Sequence, residues 1–94
     1  MKFKLYGYGT RHCPYCVNAI DYISKNFPNT KIEKINIDED VDAKNYIVGL
    51  GHRTVPQVFV SFEGTVETWN WIGGFDRLKE WQPVNEQSPL ARVP

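Results

Sequence analysis

Along the chain the apolar positions change period several times, and each change marks an element. Residues 3–8, Phe-Lys-Leu-Tyr-Gly-Tyr, alternate and predict a first strand. Gly9 to His12 breaks the alternation and reads as a loop. From about Pro14 to Phe27, the residues Ile20, Ile23 and Phe27 recur at helical spacing and give one apolar face. Pro14 suits the first helical position, where its missing N–H would have had no partner. Pro28, between Asn26 and Asn29, ends the helix.

Residues 31–37, Lys-Ile-Glu-Lys-Ile-Asn-Ile, predict a second strand. Asp38-Glu39-Asp40 then supplies negative charge where a helix dipole favours it. A second helix over 41–50 follows, with Ala43, Tyr46, Ile47 and Leu50 as its inner face and Gly51 in the C-terminal place. Gln57 to Phe62 predicts a third strand, Glu63-Gly64 a turn, and Thr65 to Ile72 a fourth strand, so these two form a hairpin. Gly73-Gly74 breaks the strand, and Phe75 to about Trp81 reads as a short helix with Asp76 as its N-cap.

The order β-α-β-α-β-β-α predicts an α/β domain over residues 1–82. Its first βαβ unit is expected to be parallel and right-handed, and the later pair antiparallel. The result is a four-stranded mixed sheet with three flanking helices. Residues 83–94 carry Pro83, Pro89 and Pro94 with few apolar groups, and a flexible tail is expected there.

Composition narrows the partners. The 94 residues hold eleven basic and eleven acidic side chains, so no general grip on nucleic acid or anionic lipid is expected. No apolar run approaches the roughly 18 residues of a membrane span. Met1 to Tyr6 has charge but no apolar signal-peptide core, so the expected compartment is the reducing cytoplasm. Monomer is the default expectation.

Two cysteines in such a compartment are seldom a structural disulfide, which turns attention to Cys13-Pro14-Tyr15-Cys16. A thiol attacks a disulfide as the thiolate, and an ordinary cysteine is only about 3% ionised at pH 7. Cys13 falls at the N-cap of the first helix. There the unpaired N–H groups of Tyr15 and Cys16 are expected to face its sulfur, and the helix dipole adds a positive field. Cys16, one turn inward, fits a resolving role by attacking a mixed disulfide formed on Cys13. Half a zinc site is the competing reading of such a pair. Its further ligands would have to be His12 and His52, and His12 is adjacent to Cys13 and poorly placed. Two incidental buried cysteines would require neither Pro14 nor a helix start. The position in the first βα turn favours redox chemistry.

With these pieces assembled, the chain resembles the glutaredoxin family of the thioredoxin fold. Cys13-Pro14-Tyr15-Cys16 resembles the family's dithiol site, Thr54-Val55-Pro56 its Thr-Val-Pro segment, and Gly73-Gly74-Phe75-Asp76 its Gly-Gly-x-Asp segment. They stand in the family order over residues 3–82. The short length and the string Ile72 to Asp76 are similar to phage-encoded members.

The resemblance implies a glutathione-disulfide oxidoreductase that carries electrons from glutathione, as co-substrate, to protein disulfides and glutathione mixed disulfides. No metal is expected. Ribonucleotide reductase is the family's familiar protein client. Cys13 would be the nucleophile and Cys16 the resolving thiol. Pro56 would be cis beside the dithiol, leaving the backbone of Val55, after Thr54, to pair with glutathione as an added strand rung. Gly74, Phe75 and Asp76 would hold the γ-glutamyl end, with Asp76 meeting the ammonium group. Tyr15 would lie alongside the tripeptide.

Two departures stand out. Thr10 occupies the place of the family's basic residue before the first cysteine, so Arg11 is the expected substitute, and Arg53 is a second candidate for a glutathione carboxylate. Trp69 and Trp71 share one strand face, which reads first as sheet packing and second as a docking surface for a protein substrate. Two other functions remain open: an electron donor recycled by thioredoxin reductase, and a carrier of an iron–sulfur cluster held by one thiolate per subunit with glutathione. Pro14 stiffens the turn and favours exchange over the carrier.

Overall fold

A computed structural model describes residues 1–9, 12–62 and 68–83. It contains β1 (Lys2–Gly7), α1 (Pro14–Asn26), β2 (Lys31–Asn36), α2 (Val41–Gly49), β3 (Gln57–Ser61), β4 (Asn70–Gly73) and α3 (Phe75–Glu80). The sheet order is β2-β1-β3-β4. β1 and β2 run parallel, with Lys2 opposite Lys31 and Gly7 opposite Asn36. β3 is antiparallel to β1 and to β4. This is the mixed four-stranded sheet with three helices that the element order predicts.

The helix ends follow local chemistry. Asp40 caps α2 by accepting from the Ala43 N–H at 3.0 Å. At its other end the Gly51 N–H donates to the Val48 carbonyl at 2.9 Å and the His52 N–H to the Ile47 carbonyl at 3.2 Å. That pair of bonds needs a positive φ at Gly51, which is +90°. At α3 the expectation is corrected: Gly74, not Asp76, holds the N-cap position, and no side chain caps the helix. Asp76 lies inside the first turn instead, where its charge still suits the dipole.

Two apolar clusters sandwich the sheet. Under α1 and α3 lie Phe3, Leu5, Cys16, Ala19, Ile23, Val58, Val60, Ile72 and Leu78. Phe3, Phe27 and Trp81 close this side with ring centroids 5.4 to 5.8 Å apart. The Tyr22 hydroxyl, donating to the Lys79 carbonyl at 3.2 Å, ties α1 to α3. Among the described residues the cluster on the α2 side is Tyr6, Ile47 and Phe59, with Ile35, Ile37, Ala43 and Trp69 against them. The expected inner face of α2 is therefore corrected: Ile47 is buried, but Tyr46 and Leu50 stay half exposed. Tyr46 still lays one side of its ring against Tyr6 and Phe59, at centroid distances of 5.9 and 6.4 Å, while its other side faces solvent.

The fourth strand begins at Asn70 rather than nearer Thr65, with Thr68 and Trp69 leading into it. The expected turn at Glu63-Gly64 and the expected tail beyond Pro83 lie outside the described residues. Among the described residues no helix is long and apolar enough to cross a membrane.

Candidate active site

Cys13 is the N-cap of α1, with extended φ −137° and ψ 90°, and Pro14 follows at the first helical position. Its Sγ accepts the N–H of Cys16 at 3.3 Å, one of the two N–H groups expected to face it. Cys13 and Cys16 form a disulfide, with Cα atoms 5.3 Å apart. The two sulfurs differ in access. Cys13 is half-buried, whereas Cys16 is only 4% exposed and belongs to the deep core. Gly7 on β1 permits that depth. A Cβ there would stand 3.0 Å from the Sγ of Cys16 and 3.1 Å from the Leu5 side chain, closer than packed carbons tolerate.

The loop between β1 and Cys13 is tied to β2. The Asn36 side-chain oxygen accepts the Gly9 N–H at 3.0 Å and the Asp38 N–H at 2.9 Å, and the Ile37 N–H donates to the Gly7 carbonyl at 3.0 Å. Any side chain on Gly9 would collide with the Asn36 amide. Thr10 and Arg11, the positions at issue for the glutathione carboxylate, lie outside the described residues.

The Val55–Pro56 bond, just before β3, is cis. Val55 and Cys13 both pack on the deep core. Neither the N–H nor the C=O of Val55 has a hydrogen-bond partner among the described residues. Gly74 at the start of α3 lies close to the cis proline: a Cβ on it would stand 3.4 Å from the Pro56 carbonyl, in ordinary contact.

A groove of about 330 Å³ results, gathering Tyr15, Thr54, Val55, Pro56, Gly74, Phe75 and Asp76 from three separated stretches of chain. Arg53 is apart: it lines a neighbouring hollow of about 270 Å³ with Tyr8, Lys44 and His52, touching the same Thr54–Val55 segment from the other side. Asp76 has a 92% exposed side chain 3.6 Å from the Lys79 ammonium, a surface pair of little strength.

Two lining residues, Gln57 and Arg77, were not anticipated, and Trp71, read first as sheet packing and second as a docking surface, lines the groove with them. Trp71 has register partner Phe59 and so lies on the α2 face, yet it stays 45% exposed because α2 does not reach it. The paired tryptophans were the available signal. Trp69 does pack, with the Lys4 ammonium 4.3 Å over its ring; Trp71 instead forms a wall of the groove.

Comparison with known proteins bears on the whole arrangement. The family model described as glutaredoxin matches residues 4–64, which contain the dithiol and the cis proline. A probable glutaredoxin of Synechocystis sp. is 30% identical over 96 residues, an alignment covering all of this chain and 80% of the relative. Among solved structures, the glutaredoxin-like NrdH-redoxin of Escherichia coli superposes with a TM-score of 0.60 at 21% identity, covering 90% of this chain and all of the other. Glutaredoxin of Brucella melitensis superposes with a TM-score of 0.56 at 22% identity, covering 84% and 75%. The fold is therefore thioredoxin-like. With a helix-capping cysteine disulfide-bonded to a buried one beside a cis proline, the chain belongs to the glutaredoxin family of thiol–disulfide oxidoreductases.

Proposed function

We propose that this oxidoreductase takes its electrons from glutathione and reduces protein disulfides and glutathione mixed disulfides. The observation that carries the reading is the open peptide backbone of Val55 in a groove that Tyr15, two residues from Cys13, and Asp76 also line. An extended tripeptide can pair with Val55 as one strand rung. The Asp76 carboxylate suits its ammonium group, with Gly74 and Phe75 beneath and Tyr15, Thr54 and Pro56 alongside. Arg11 and Arg53 are the cations proposed for its carboxylate ends.

Burial supports distinct roles for the two sulfurs. Cys16 stands behind Gly7 and is out of reach of an incoming disulfide, so Cys13 attacks. Its thiolate is favoured by the Cys16 N–H and the helix start. On a glutathione mixed disulfide, the Cys13 sulfur bonds to the glutathione sulfur and the old S–S bond breaks, releasing the other thiolate to take up a proton. A second glutathione thiolate then displaces the first as glutathione disulfide and restores the Cys13 thiolate. On an intramolecular protein disulfide, Cys16 attacks the Cys13-linked intermediate, expels the second substrate thiolate and leaves the Cys13–Cys16 disulfide. Two electrons have then passed to the substrate, and two glutathione molecules return them. Ribonucleotide reductase is the proposed class of protein client.

A second reading, recycling by thioredoxin reductase, is favoured by the full-length superposition on NrdH-redoxin, whose reported activity profile is thioredoxin-like. One assay separates the two: NADPH oxidation during reduction of a glutathionylated peptide, with either glutathione and glutathione reductase or thioredoxin reductase alone. Turnover is expected with glutathione, abolished in Cys13→Ser. Cys16→Ser is expected to keep deglutathionylation and lose reduction of intramolecular protein disulfides. Turnover with thioredoxin reductase alone would overturn the first reading, and an active Cys13→Ser would overturn the assignment of the nucleophile.

A further inference from the structure

Trp71 is half exposed, yet its ring is held from several sides. The His52 ring stacks on it at 5.0 Å with 25° between planes, and the Arg77 guanidinium lies 5.1 Å from its centroid. Its indole N–H donates to the side-chain oxygen of Gln57 at 2.7 Å. Gln57 is itself only 4% exposed. The other end of its amide donates to the Thr54 carbonyl at 3.0 Å and meets the Thr54 hydroxyl at 3.2 Å. One buried carboxamide thus bridges β4 to the segment before the cis proline.

The atom that Gln57 holds matters. The Thr54 carbonyl and the Val55 N–H belong to one planar peptide unit, so fixing the direction of the carbonyl fixes the direction of the N–H. We propose that Gln57 is a positioning residue. By clamping the Thr54–Val55 peptide plane against the Trp71 wall, it aims the Val55 N–H into the groove and sets the groove's width for a peptide-like substrate. Gln57 touches neither sulfur. Its effect is on binding, with the chemistry at Cys13 unchanged. The inference rests on the reading of Val55 as the pairing rung.

Gln57→Glu divides the clamp. It keeps an acceptor for the Trp71 indole but loses both donors to Thr54 and sets a carboxylate against a carbonyl. Gln57→Leu removes both halves. With a glutathionylated peptide as substrate, Gln57→Glu is expected to raise KM about tenfold, the loss of one good buried hydrogen bond, with kcat within about twofold. In ¹H–¹⁵N spectra of the oxidised proteins without substrate, the Val55 amide is expected to shift in both variants while the Cys16 amide stays in place, which also reports that the fold is intact. Unchanged KM in Gln57→Glu, or a fall in kcat alone, would overturn the proposal. Should wild type fail to use glutathione, the proposed function falls, and the clamp is then decided by the spectra: a stationary Val55 amide in both variants overturns it and a displaced one supports it.

Discussion

The side of the sheet covered by α1 and α3 and the side covered by α2 are built to different depths. The first buries Phe3, Ile23, Val58, Val60 and Leu78 almost completely and takes in Cys16 as a core residue. The second rests on Tyr6, Ile47 and Phe59, and above it Val41, Tyr46, Val48 and Leu50 remain exposed. The reactive pair is anchored to the deep side, so the buried sulfur of Cys16 is held by the same packing that holds the fold. The shallow side contributes what the deep side cannot: a half-open aromatic wall at Trp71 and a loop at 52–55 reachable from both flanks. Rigid placement of sulfur and an open, half-exposed groove wall are thus divided between the faces.

The largest test of this contrast is truncation. Leu78→Ala is expected to cost about 4 kcal/mol and Ile47→Ala about 2 kcal/mol, because the deep side cannot collapse around a cavity and the shallow side can. Chemical denaturation of the two variants measures both, and equal losses would erase the distinction. Glycines give a sharper, smaller version. Gly7→Ala drives a methyl into Cys16 and is expected to destabilise by about 2 kcal/mol. Gly49→Ala, in helix α2 with nothing within 4 Å, is expected to stabilise by about 0.5–1 kcal/mol. Melting curves should therefore move in opposite directions.

The smallest effect concerns Tyr6. Burial holds its hydroxyl above the ordinary tyrosine pKa, with Tyr46, Glu33 and Asp40 adding to the shift. The folded state then keeps the proton more tightly than the unfolded chain. Its contribution is intact below the ordinary value of about 10 and is lost as pH rises through and above it. Tyr6→Phe is expected to flatten the alkaline end of the stability profile and leave the neutral region nearly unchanged. An equally steep alkaline decline in the variant would remove Tyr6 as its cause.

Much of this was legible from residue order. α1 turns its helical stripe to the deep core, and β1 and β3 alternate between the two clusters, Phe3, Leu5, Val58 and Val60 facing one and Tyr6 and Phe59 the other, so pattern and packing agree. In α2 the pattern was equally regular, yet Tyr46 and Leu50 emerged half exposed. Periodicity gives the direction of a face; it does not say whether anything covers it. Asp76 looked like a cap by type and neighbourhood, but the chain turns one step earlier, at Gly74. In the site, the spacing of Cys13 and Cys16 pointed to redox chemistry, and the family likeness supplied Val55 and the cis Pro56. The Gln57–Trp71 bond was out of reach. It joins side chains 14 residues apart beside a register shift at Val58/Phe59, and only the assembled hairpin brings them together.

Gly7 also has a practical meaning. With the bare Cα of that residue against the second sulfur and the core around it, a bulky maleimide added to the reduced protein has one place to go. The native chain is therefore expected to take a fluorophore or a solid support at a single defined point, Cys13, without redesign of any residue.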